Sequence, residues 1–529
     1  MSKILKKIDE FNNIHYMSVI KIDKSELEVV KELYEKNELQ EGHLKDKFIL
    51  LENKGYVVAK VKNISEIKDL NKLYKIDILG QGGQGIVYNT KNADTVIKIA
   101  LNNEQPIIDK NEILKYHQKI KRLIFKPLPS NINIATPLAV LDNEAGYVMN
   151  LLSGMKPFST LFPSEVSKDE AEKIDIPSFL EGLNQKDKRS AFYFAYYLKT
   201  GGLRKRLYTL SRLAITLYRL HLRGLIYFDI SHNNIFINND EIPLVYLIDA
   251  DNIEYESINT SVVYTPNFEV PEVVKGEPNS LYSDIYAFGI LSYLTLTTNH
   301  PFEGIGLNES DWDSEDNTKK EKWELPWVED SNDDSNKSKS GLKGTLTITE
   351  ELSHLFHKLF EEGKEDKYKR PTLPLWIESL EKSATRTIKC LNCTMSYYDD
   401  KFDICPYCDT SKPRRLIATS YLYKDGQKVK MRWRYTKEIL TNKQTISLPN
   451  YIFTTFNILN LDDIFLEISF PTKTRVLLSF DKTDEDVYFK STTPIVTLNK
   501  REMVKELEKG ISIITKSDIE TLVEIKIEQ

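Results

Sequence analysis

Three polar side chains that follow short apolar runs are the residues of this sequence best suited to chemistry. Asp229 and Asn234 lie five residues apart between apolar flanks, and Asp249 ends a second apolar run. A carboxylate can accept a hydroxyl proton, and carboxylate and carboxamide oxygens are ligands that Mg²⁺ prefers. Asp and Asn are also common in turns, so each residue taken alone is more simply structural. The ordered series favours a base with two metal ligands.

A glycine-rich turn lies upstream of these acids. Gly80, Gly82 and Gly85 have the spacing G-x-G-x-x-G, which lets backbone N–H groups approach phosphate oxygens. Alone the motif is weak, because such a turn can be purely structural. A dinucleotide-binding loop would continue into a helix, whereas Ile86 and Val87 are typical of a strand, so the pattern favours a hairpin over phosphates.

A single lysine interrupts the next apolar strand. Lys98 stands between Ile97 and Ile99, and burial of its amine costs several kcal/mol unless an anion meets it. Phosphates and a helix carboxylate could be those anions. Glu112, on the helix that follows, is our choice for the carboxylate, with a solvated surface acid as the alternative.

All four cysteines fall within 19 residues. Cys390 and Cys393 form one C-x-x-C pair, and Cys405 and Cys408 form a second after 11 residues. This spacing lets four thiolates surround Zn²⁺ tetrahedrally, and it favours a structural zinc ribbon over disulfides or a redox pair. Four cysteines close the coordination shell, so we expect the zinc to hold structure.

Length and composition indicate how many domains the chain can form and which classes of protein it can belong to. The 529 residues give room for two to four domains at roughly 150 residues each. The net charge is −6, but residues 309–334 hold 11 acidic and three basic residues, so the remainder is nearly neutral. This balance argues against a protein that binds nucleic acid over its whole surface, although a small basic patch could lie in one domain. No signal peptide or span of ~18 apolar residues is evident, so we expect a cytoplasmic protein with no membrane contact.

The patterning divides the chain into four parts. We predict an N-terminal module of unknown role over residues 1–70, which includes a helical-looking stretch at 25–34. An α+β block follows over 71–385, with amphipathic helices at 203–223 and 283–296 and an acidic insert near 308–341. Tryptophans in that insert are costly to leave in water, so part of it should pack back. The zinc ribbon occupies 386–412, and a mainly β domain occupies 413–529.

The central block resembles eukaryotic-type (Hanks-type) protein kinases over roughly residues 74–385. The matching positions are the glycine-rich loop (Gly80, Gly82, Gly85), Val87 after it, Lys98 with its helix partner Glu112, the gatekeeper Met149 with Asn150 and Leu152 of the hinge, the base Asp229, the metal ligands Asn234 and Asp249, Glu272 with its partner Arg370, and Asp284. The resemblance implies a bilobal fold, ATP and Mg²⁺ as cofactors, and transfer of phosphate to Ser or Thr hydroxyls of a protein substrate.

Three departures from the kinase pattern carry predictions. Tyr227-Phe228 replaces His-Arg before the base, which makes this a non-RD kinase. Ser231 replaces the usual lysine, and Ala250-Asp251 replaces Phe-Gly. Without the arginine, a phosphate on the activation segment lacks its partner. We therefore expect joint alanine substitution of Thr260, Ser261 and Thr265 to spare turnover.

The Asp-Ile-Ser-x-Asn-Asn sequence, the acidic insert and the cysteine module are similar to a bacterial kinase family. Its members occur beside von Willebrand factor A proteins and PP2C-type phosphatases in tellurite-resistance-like stress or phage-defence systems, so both are implied as partners. Nucleic acid is not expected, although Lys412, Arg414 and Arg415 after the ribbon leave that alternative open. A pseudokinase scaffold that recruits partners through the ribbon and β tail is the main rival, and a small-molecule kinase is the second.

Overall fold

A computed structural model describes most of residues 77–257 and 264–452, residues 521–528, and eight strands outside these ranges whose bounds follow. Gaps in the two long ranges are 83–84, 91–93, 125, 127, 130–131, 306–321, 339–340, 426 and 442. The chain divides into two compact units. Unit 1 consists of Met1–Met155 and Tyr246–Ile253, and unit 2 consists of Lys156–Val245 and Glu254–Gln529.

Unit 1 holds two antiparallel sheets and one described helix. The first sheet has the order β1-β2-β4-β3 and consists of β1 (Lys3–Ile8), β2 (Ile14–Lys21), β3 (Leu50–Leu51) and β4 (Tyr56–Asn63). The second has the order β5-β6-β7-β10-β9, with β8 paired to β7, and consists of β5 (Ile78–Gly82), β6 (Gly85–Asn89), β7 (Thr95–Asn102), β8 (Gln105–Pro106), β9 (Pro137–Val140) and β10 (Gly146–Asn150). Helix α1 spans Lys110–Ile124.

The side chains of β7 alternate between two buried hydrophobic clusters of unit 1, one on each face of the sheet. Ile97 and Ile99 belong to a buried cluster on one face, whereas Val96 belongs to a second cluster that includes Ile120 of α1. Successive side chains of a strand point to opposite faces, so Lys98 shares the helix-covered face with Val96. The fold therefore buries one lysine beside α1.

Residues 246–253 return to unit 1 after a long excursion of the chain. The Leu247 N–H donates to the Asn133 carbonyl at 3.0 Å, and the Ala135 N–H donates to the Leu247 carbonyl at 2.9 Å. A 3-10 turn then spans Ala250–Asn252. These backbone bonds fix Asp249 in the unit that contains Lys98.

Unit 2 is mainly helical. Its helices are α2 (Lys168–Ala171), α3 (Glu181–Lys186), α4 (Lys188–Lys199), α5 (Gly202–His221), α6 (Pro271–Val274), α7 (Leu281–Thr297), α8 (Gly344–Thr347), α9 (Glu350–Phe360), α10 (Glu362–Glu365) and α11 (Leu373–Thr385). The long helices α5 and α7 are buried along most of their length. Helix α7 is apolar on nearly all sides, whereas α5 also buries Arg204, Lys205 and Arg206. A capping box between Ser280 and Ser283 begins α7.

Short strands surround this helical core. Those within residues 156–255 are β11 (Lys156–Pro157), β12 (Leu225–Tyr227), β13 (Ile235–Ile237), β14 (Val245–Leu247) and β15 (Ile253–Tyr255), of which β14 and β15 contain residues of both units. Strands β16 (Thr387–Lys389) and β17 (Ser396–Tyr398) form an antiparallel hairpin.

Two further sheets lie in the last part of the chain. One has the order β19-β18-β25-β24 and consists of β18 (Arg415–Lys424), β19 (Gln427–Glu438), β24 (Ile511–Thr515) and β25 (Thr521–Glu528). The other has the order β20-β21-β22-β23 and consists of β20 (Lys443–Pro449), β21 (Asp463–Ser469), β22 (Arg475–Ser479) and β23 (Met503–Glu506).

Strand β19 is joined to the helical core by buried polar contacts. Glu438 at its end pairs with Arg204 of α5, and the Tyr451 hydroxyl donates to Glu381 of α11 at 2.8 Å. The ammonium of Lys382 lies 5.2 Å from the ring centroid of Trp433. The assignment of 413–529 as a separate domain stays a prediction, and its first strands pack on helices of the preceding region.

Several expectations from the sequence can be compared with these elements. The runs at 203–223 and 283–296 form the helices α5 and α7, as predicted, but α7 is buried on nearly all sides and is not amphipathic. Trp327 of the acidic insert is buried, with its ring centroid 5.7 Å from that of Tyr293, so part of the insert does pack back. The helical-looking stretch at 25–34 and the insert residues 306–321 lie outside the described residues. No helix of the described part is long and apolar enough to cross a membrane.

Candidate active site and candidate metal centre

The glycine-rich segment is a hairpin, as the sequence predicts. Strands β5 and β6 pair antiparallel with Gly82 opposite Gly85, and the chain continues as a strand after the turn. A Cβ on Gly85 would lie 2.9 Å from the Ile99 carbonyl oxygen and 2.9 Å from Lys98 Cε, so only glycine lets β6 pass this close to the lysine. Gly80 and Gly82 have no such neighbours within 4 Å, and both are exposed.

Lys98 is the centre of a buried ion-pair cluster in unit 1. Its ammonium lies 2.6 Å from Asp249 Oδ1 and 3.5 Å from Asp251 Oδ1. Burial alone would lower the pKa of Lys98, but the negative charges of Asp251 and Asp249 raise it well above its usual range. The amine is therefore cationic at neutral pH, as a phosphate-binding group must be.

Glu112 does not join this cluster, which corrects the prediction that it pairs with Lys98. The residue lies in the first turn of α1, where its side chain is exposed and its backbone N–H donates to Asp109 Oδ1. The helix brings Tyr116 and Lys119 into electrostatic reach of Asp251 instead. Burial and the charge of Asp251 raise the pKa of Tyr116, so its hydroxyl stays neutral.

The apolar positions predicted to contact the nucleotide lie in one cluster of unit 1. Val87 is opposite Lys98 in the β6–β7 pairing, and it packs against the buried cluster that contains Met149 at the end of β10. Leu152 packs against the same cluster, whereas Asn150 is exposed. The three apolar side chains thus share the face of the sheet from which Lys98 projects.

Asp229 and Asn234 lie together in unit 2. The Asn234 amide donates to Asp229 Oδ2 at 2.8 Å and to the Asp229 carbonyl at 2.9 Å, which orients the carboxylate. The Thr265 hydroxyl donates to the other carboxylate oxygen, Oδ1. Asp229 is only 4% exposed, so its oxygens are held by these short contacts.

Two more buried acids, Asp284 and Glu272, join separate segments of unit 2. Asp284 Oδ2 accepts from the Tyr227 N–H and from His221 Nε2, each at 2.8 Å, and so connects α7 to the strand that leads to Asp229. Glu272 and Arg370 form two bonds of 2.7 Å between buried side chains. Burial alone would raise the pKa of Glu272, but hydrogen bonding to Arg370 lowers it.

Two contacts of the predicted residues were not expected from the sequence, that of Asp251 with Lys98 in unit 1 and that of Thr265 with Asp229 in unit 2. Among the expectations Asp251 appears only as a departure from a motif, although its position two residues after Asp249 is the signal that could have identified it. Thr265 appears only as a phosphorylatable hydroxyl. Its contact with Asp229 changes that expectation, since its removal leaves Asp229 Oδ1 without this donor. Thr260 and Ser261 lie outside the described residues.

The four cysteines form a compact cluster. All four sulfur atoms lie within 4.8 Å of one another, with 3.5 Å between Cys390 and Cys408 and 3.6 Å between Cys393 and Cys405. Disulfide sulfurs would lie ~2.05 Å apart, whereas a tetrahedron of Zn–S bonds of ~2.3 Å has edges of about 3.8 Å. The contact between Cys393 and Cys405 lowers the pKa of Cys405 and raises that of Cys393, so within this pair Cys405 forms the thiolate more readily. The donor set fits zinc.

Of the three basic residues after the ribbon, Lys412 and Arg415 contact Asp399, as does Arg434 of β19, whereas Arg414 is exposed. Arg415 Nε lies 2.6 Å from Asp399 Oδ1, Arg434 Nη2 lies 2.6 Å from Asp399 Oδ2, and Lys412 Nζ donates to the Asp399 carbonyl at 2.7 Å. Asp399 is buried, so these cations compensate its charge. Their positions suit a structural role.

Comparisons with known proteins find similarity to protein kinases in the region that contains Asp229, Asn234 and Asp249. Residues 203–381 match the protein kinase domain model, which is about a third of the chain. Death-associated protein kinase 2 of Mus musculus is 32% identical over 189 residues, which are 34% of this chain and 41% of that protein. Serine/threonine-protein kinase PknD of Chlamydia pneumoniae is 24% identical over 253 residues, which are 43% of this chain and 24% of that protein.

The chain therefore spans less than half of the length of these relatives. The region that matches the family model contains Asp229, Asn234 and Asp249, whereas Lys98 and the glycine-rich hairpin precede it. Residues 203–381 are thus the part of this chain that matches the protein kinase domain model, and the alignment to PknD covers a larger share of the chain.

Proposed function

We propose that this protein is an ATP- and Mg²⁺-dependent serine/threonine protein kinase. The observation that carries the proposal is the buried pair of Lys98 and Asp249, 2.6 Å apart and joined across 151 positions of sequence. A charged amine beside an acid, on the same sheet as a glycine hairpin, suits the binding of a triphosphate. The match to the protein kinase domain supports the same reading.

Each proposed role follows from the chemistry of the side chain. Asp229 orients the acceptor hydroxyl and takes its proton, since it is a buried carboxylate oriented by Asn234. Lys98 holds the α- and β-phosphates. Asn234 and Asp249 are oxygen donors of the kind that Mg²⁺ prefers, and the ion, when bound, neutralises phosphate charge.

The finer features of the proposal depend on the resemblance to kinases. Phe228 precedes Asp229, so we propose a non-RD enzyme whose activity does not need a phosphate on the activation segment. We also propose a bilobal domain over 71–385, which the division into two units supports. The PP2C-type phosphatase, the von Willebrand factor A partner and a bacterial stress system are proposed on the resemblance alone.

Transfer of radiolabelled phosphate from ATP tests the activity. We expect the wild type to label itself or a generic protein substrate, and Asp229→Ala to lose this signal by about 10²–10⁴-fold, the usual contribution of a general base. Lys115→Met, on the exposed face of α1, is a control that should retain it. Equal signals from the wild type and Asp229→Ala would favour the scaffold that lacks catalysis.

The cysteine cluster supports a separate proposal of one structural zinc. Native mass spectrometry of the purified chain should show one bound Zn²⁺. The double variant Cys390→Ala/Cys405→Ala should release it, because each of the two close sulfur pairs loses a member. Retention of zinc by this variant would refute the site.

A further inference from the structure

We propose that Asp251 is the residue that positions Lys98, in place of an acid on helix α1. The inference rests on the proposed function, because Lys98 binds phosphate only if the chain uses ATP. Asp251 touches Lys98 and is therefore a positioning residue.

The carboxylates that contact Lys98 come from the segment that follows β14, and not from α1. Asp249 and Asp251 are the two carboxylates within 4.0 Å of the ammonium in the described part of the chain, at 2.6 and 3.5 Å. Both are largely buried, with side-chain exposures of 17% and 11%. If Asp249 binds metal, its charge is shared with the ion. Asp251 is then the acid left to hold the lysine.

Positioning Lys98 needs a negative charge, whereas helix α1 is mainly positively charged. Its single acid is Glu112, which is exposed at the first turn. From the same helix Lys119 attracts Asp251, and from the segment after it the Lys126 ammonium donates to the Ile253 carbonyl. Lysines from α1 and just beyond it therefore hold the acidic turn, and the turn holds Lys98.

The backbone of the turn aims both acids at one amine. Asp249 has a left-handed conformation, with φ of 51°, and its carbonyl accepts from the Asn252 N–H at 2.9 Å. Ala250 between the acids is fully buried, which excludes a larger side chain there. The Asp-Ala-Asp sequence thus forms a tight turn in which both carboxylates face the ammonium of Lys98. Because the acid that positions Lys98 lies beside Asp249, the lysine needs no carboxylate from α1.

Steady-state kinetics of Asp251→Asn, Asp251→Glu and Glu112→Gln tests this assignment. We expect Asp251→Asn to lower kcat/KM for ATP on the order of 10²-fold, with a raised KM, because a displaced Lys98 meets the phosphates poorly. Asp251→Glu should recover part of the loss, and Glu112→Gln should match the wild type. A merely structural role would reduce the amount of folded enzyme, and so the apparent kcat, without a change in KM.

Acylation by an ATP acyl phosphate, which transfers its acyl group to amines near the phosphates, gives a second readout. Lys98 should be the labelled residue in the wild type and in Asp229→Ala, with weaker labelling in Asp251→Asn, as mapped by mass spectrometry. An active wild type with an unchanged Asp251→Asn, or an equal loss in Glu112→Gln, overturns the role of Asp251 alone. A wild type that neither transfers phosphate nor labels Lys98 overturns the proposed function.

Discussion

Two buried cations of this protein, Lys98 in unit 1 and Arg204 in unit 2, form ion pairs with very different surroundings. Arg204 donates from all three guanidinium nitrogens, to Glu438, Glu241 and Thr387, at distances of 2.5–2.9 Å. The Glu438 side chain is 3% exposed. Lys98 has a shorter list of partners, and its acids keep 17% and 11% of their surface open.

The difference separates a structural pair from a functional one. A planar guanidinium with every nitrogen occupied has no capacity left for a ligand, and it fixes two distant segments of the chain. A single ammonium beside acids that are 17% and 11% exposed can exchange partners when phosphates and metal bind. We therefore expect changes at Arg204 to affect stability first, and changes at Lys98 to affect activity first.

Removal of the Arg204 charge should cause the largest loss of stability. Arg204→Met leaves Glu438 buried without its main partner, which costs about 3–5 kcal/mol in the free energy of unfolding. Urea denaturation followed by tryptophan fluorescence measures this change. A loss below about 1 kcal/mol would show that Glu438 rehydrates and that the pair does not fix β19 to α5.

A double variant makes the comparison sharper. Arg204→Met/Glu438→Leu replaces the pair with apolar groups, and we expect it to regain part of the loss, with a coupling energy of about 1–3 kcal/mol. The equivalent change at Lys98 and Asp249 should regain no activity, because phosphate binding needs the charge itself.

Removal of the Lys98 charge should affect catalysis more than folding. Lys98→Met should lower kcat/KM for ATP by about 10²–10³-fold, as for the loss of one preorganised charged donor. Its two acids can reach water, so the change in urea midpoint should be smaller than for Arg204→Met. Retained activity would exclude Lys98 from phosphate binding, and a larger stability loss than that of Arg204→Met would reverse the comparison.

The stabilisation from the Arg204–Glu438 pair should decrease at acidic pH. Burial alone would raise the pKa of Glu438, but the Arg204 charge lowers it below its ordinary value of 4.5. The stabilisation is therefore full above pH 4.5 and is lost as the pH falls through the lowered value. The difference between the unfolding free energies of the wild type and Arg204→Met, measured from pH 7 to pH 3, should shrink as the pH falls. Parallel curves would contradict the assignment.

An exposed cation near the same pair should matter least. Lys437 lies 3.9 Å from Glu438 but is paired at 2.9 Å with the half-exposed Glu241. Surface pairs of this kind contribute about 0–1 kcal/mol, so Lys437→Met should change the unfolding free energy within that range. A loss equal to that of Arg204→Met would mean that net charge, and not the buried geometry of Arg204, stabilises this region.

Local patterns in the sequence were sufficient for much of the fold and of the site. The periodicity of the apolar residues identified α5 and α7, the strand after Gly85 separated the hairpin from a dinucleotide-binding loop, and the spacing of the cysteines identified their cluster. The order of Lys98, Asp229, Asn234 and Asp249 also follows from sequence, because each stands beside a recognisable apolar run.

Contacts between distant residues could not be read in this way. The choice of Glu112 was wrong. The sequence shows that an acid lies on the helix, but it does not show which face of the helix packs against Lys98. The pairing of Arg204 with Glu438 joins segments 234 positions apart, and no local pattern marks it. The contact of Thr265 with Asp229 likewise exists only after the loop folds.

The sequence by itself determined which side chains could do chemistry and which segments are helices or strands, since these depend on residue type and on periods of two or about 3.6. Tertiary structure decided which charge compensates which. A buried ion takes whichever counter-ion the fold brings within a few ångströms, and for Lys98 that was the Asp249–Asp251 turn and not the helix next to it in the chain.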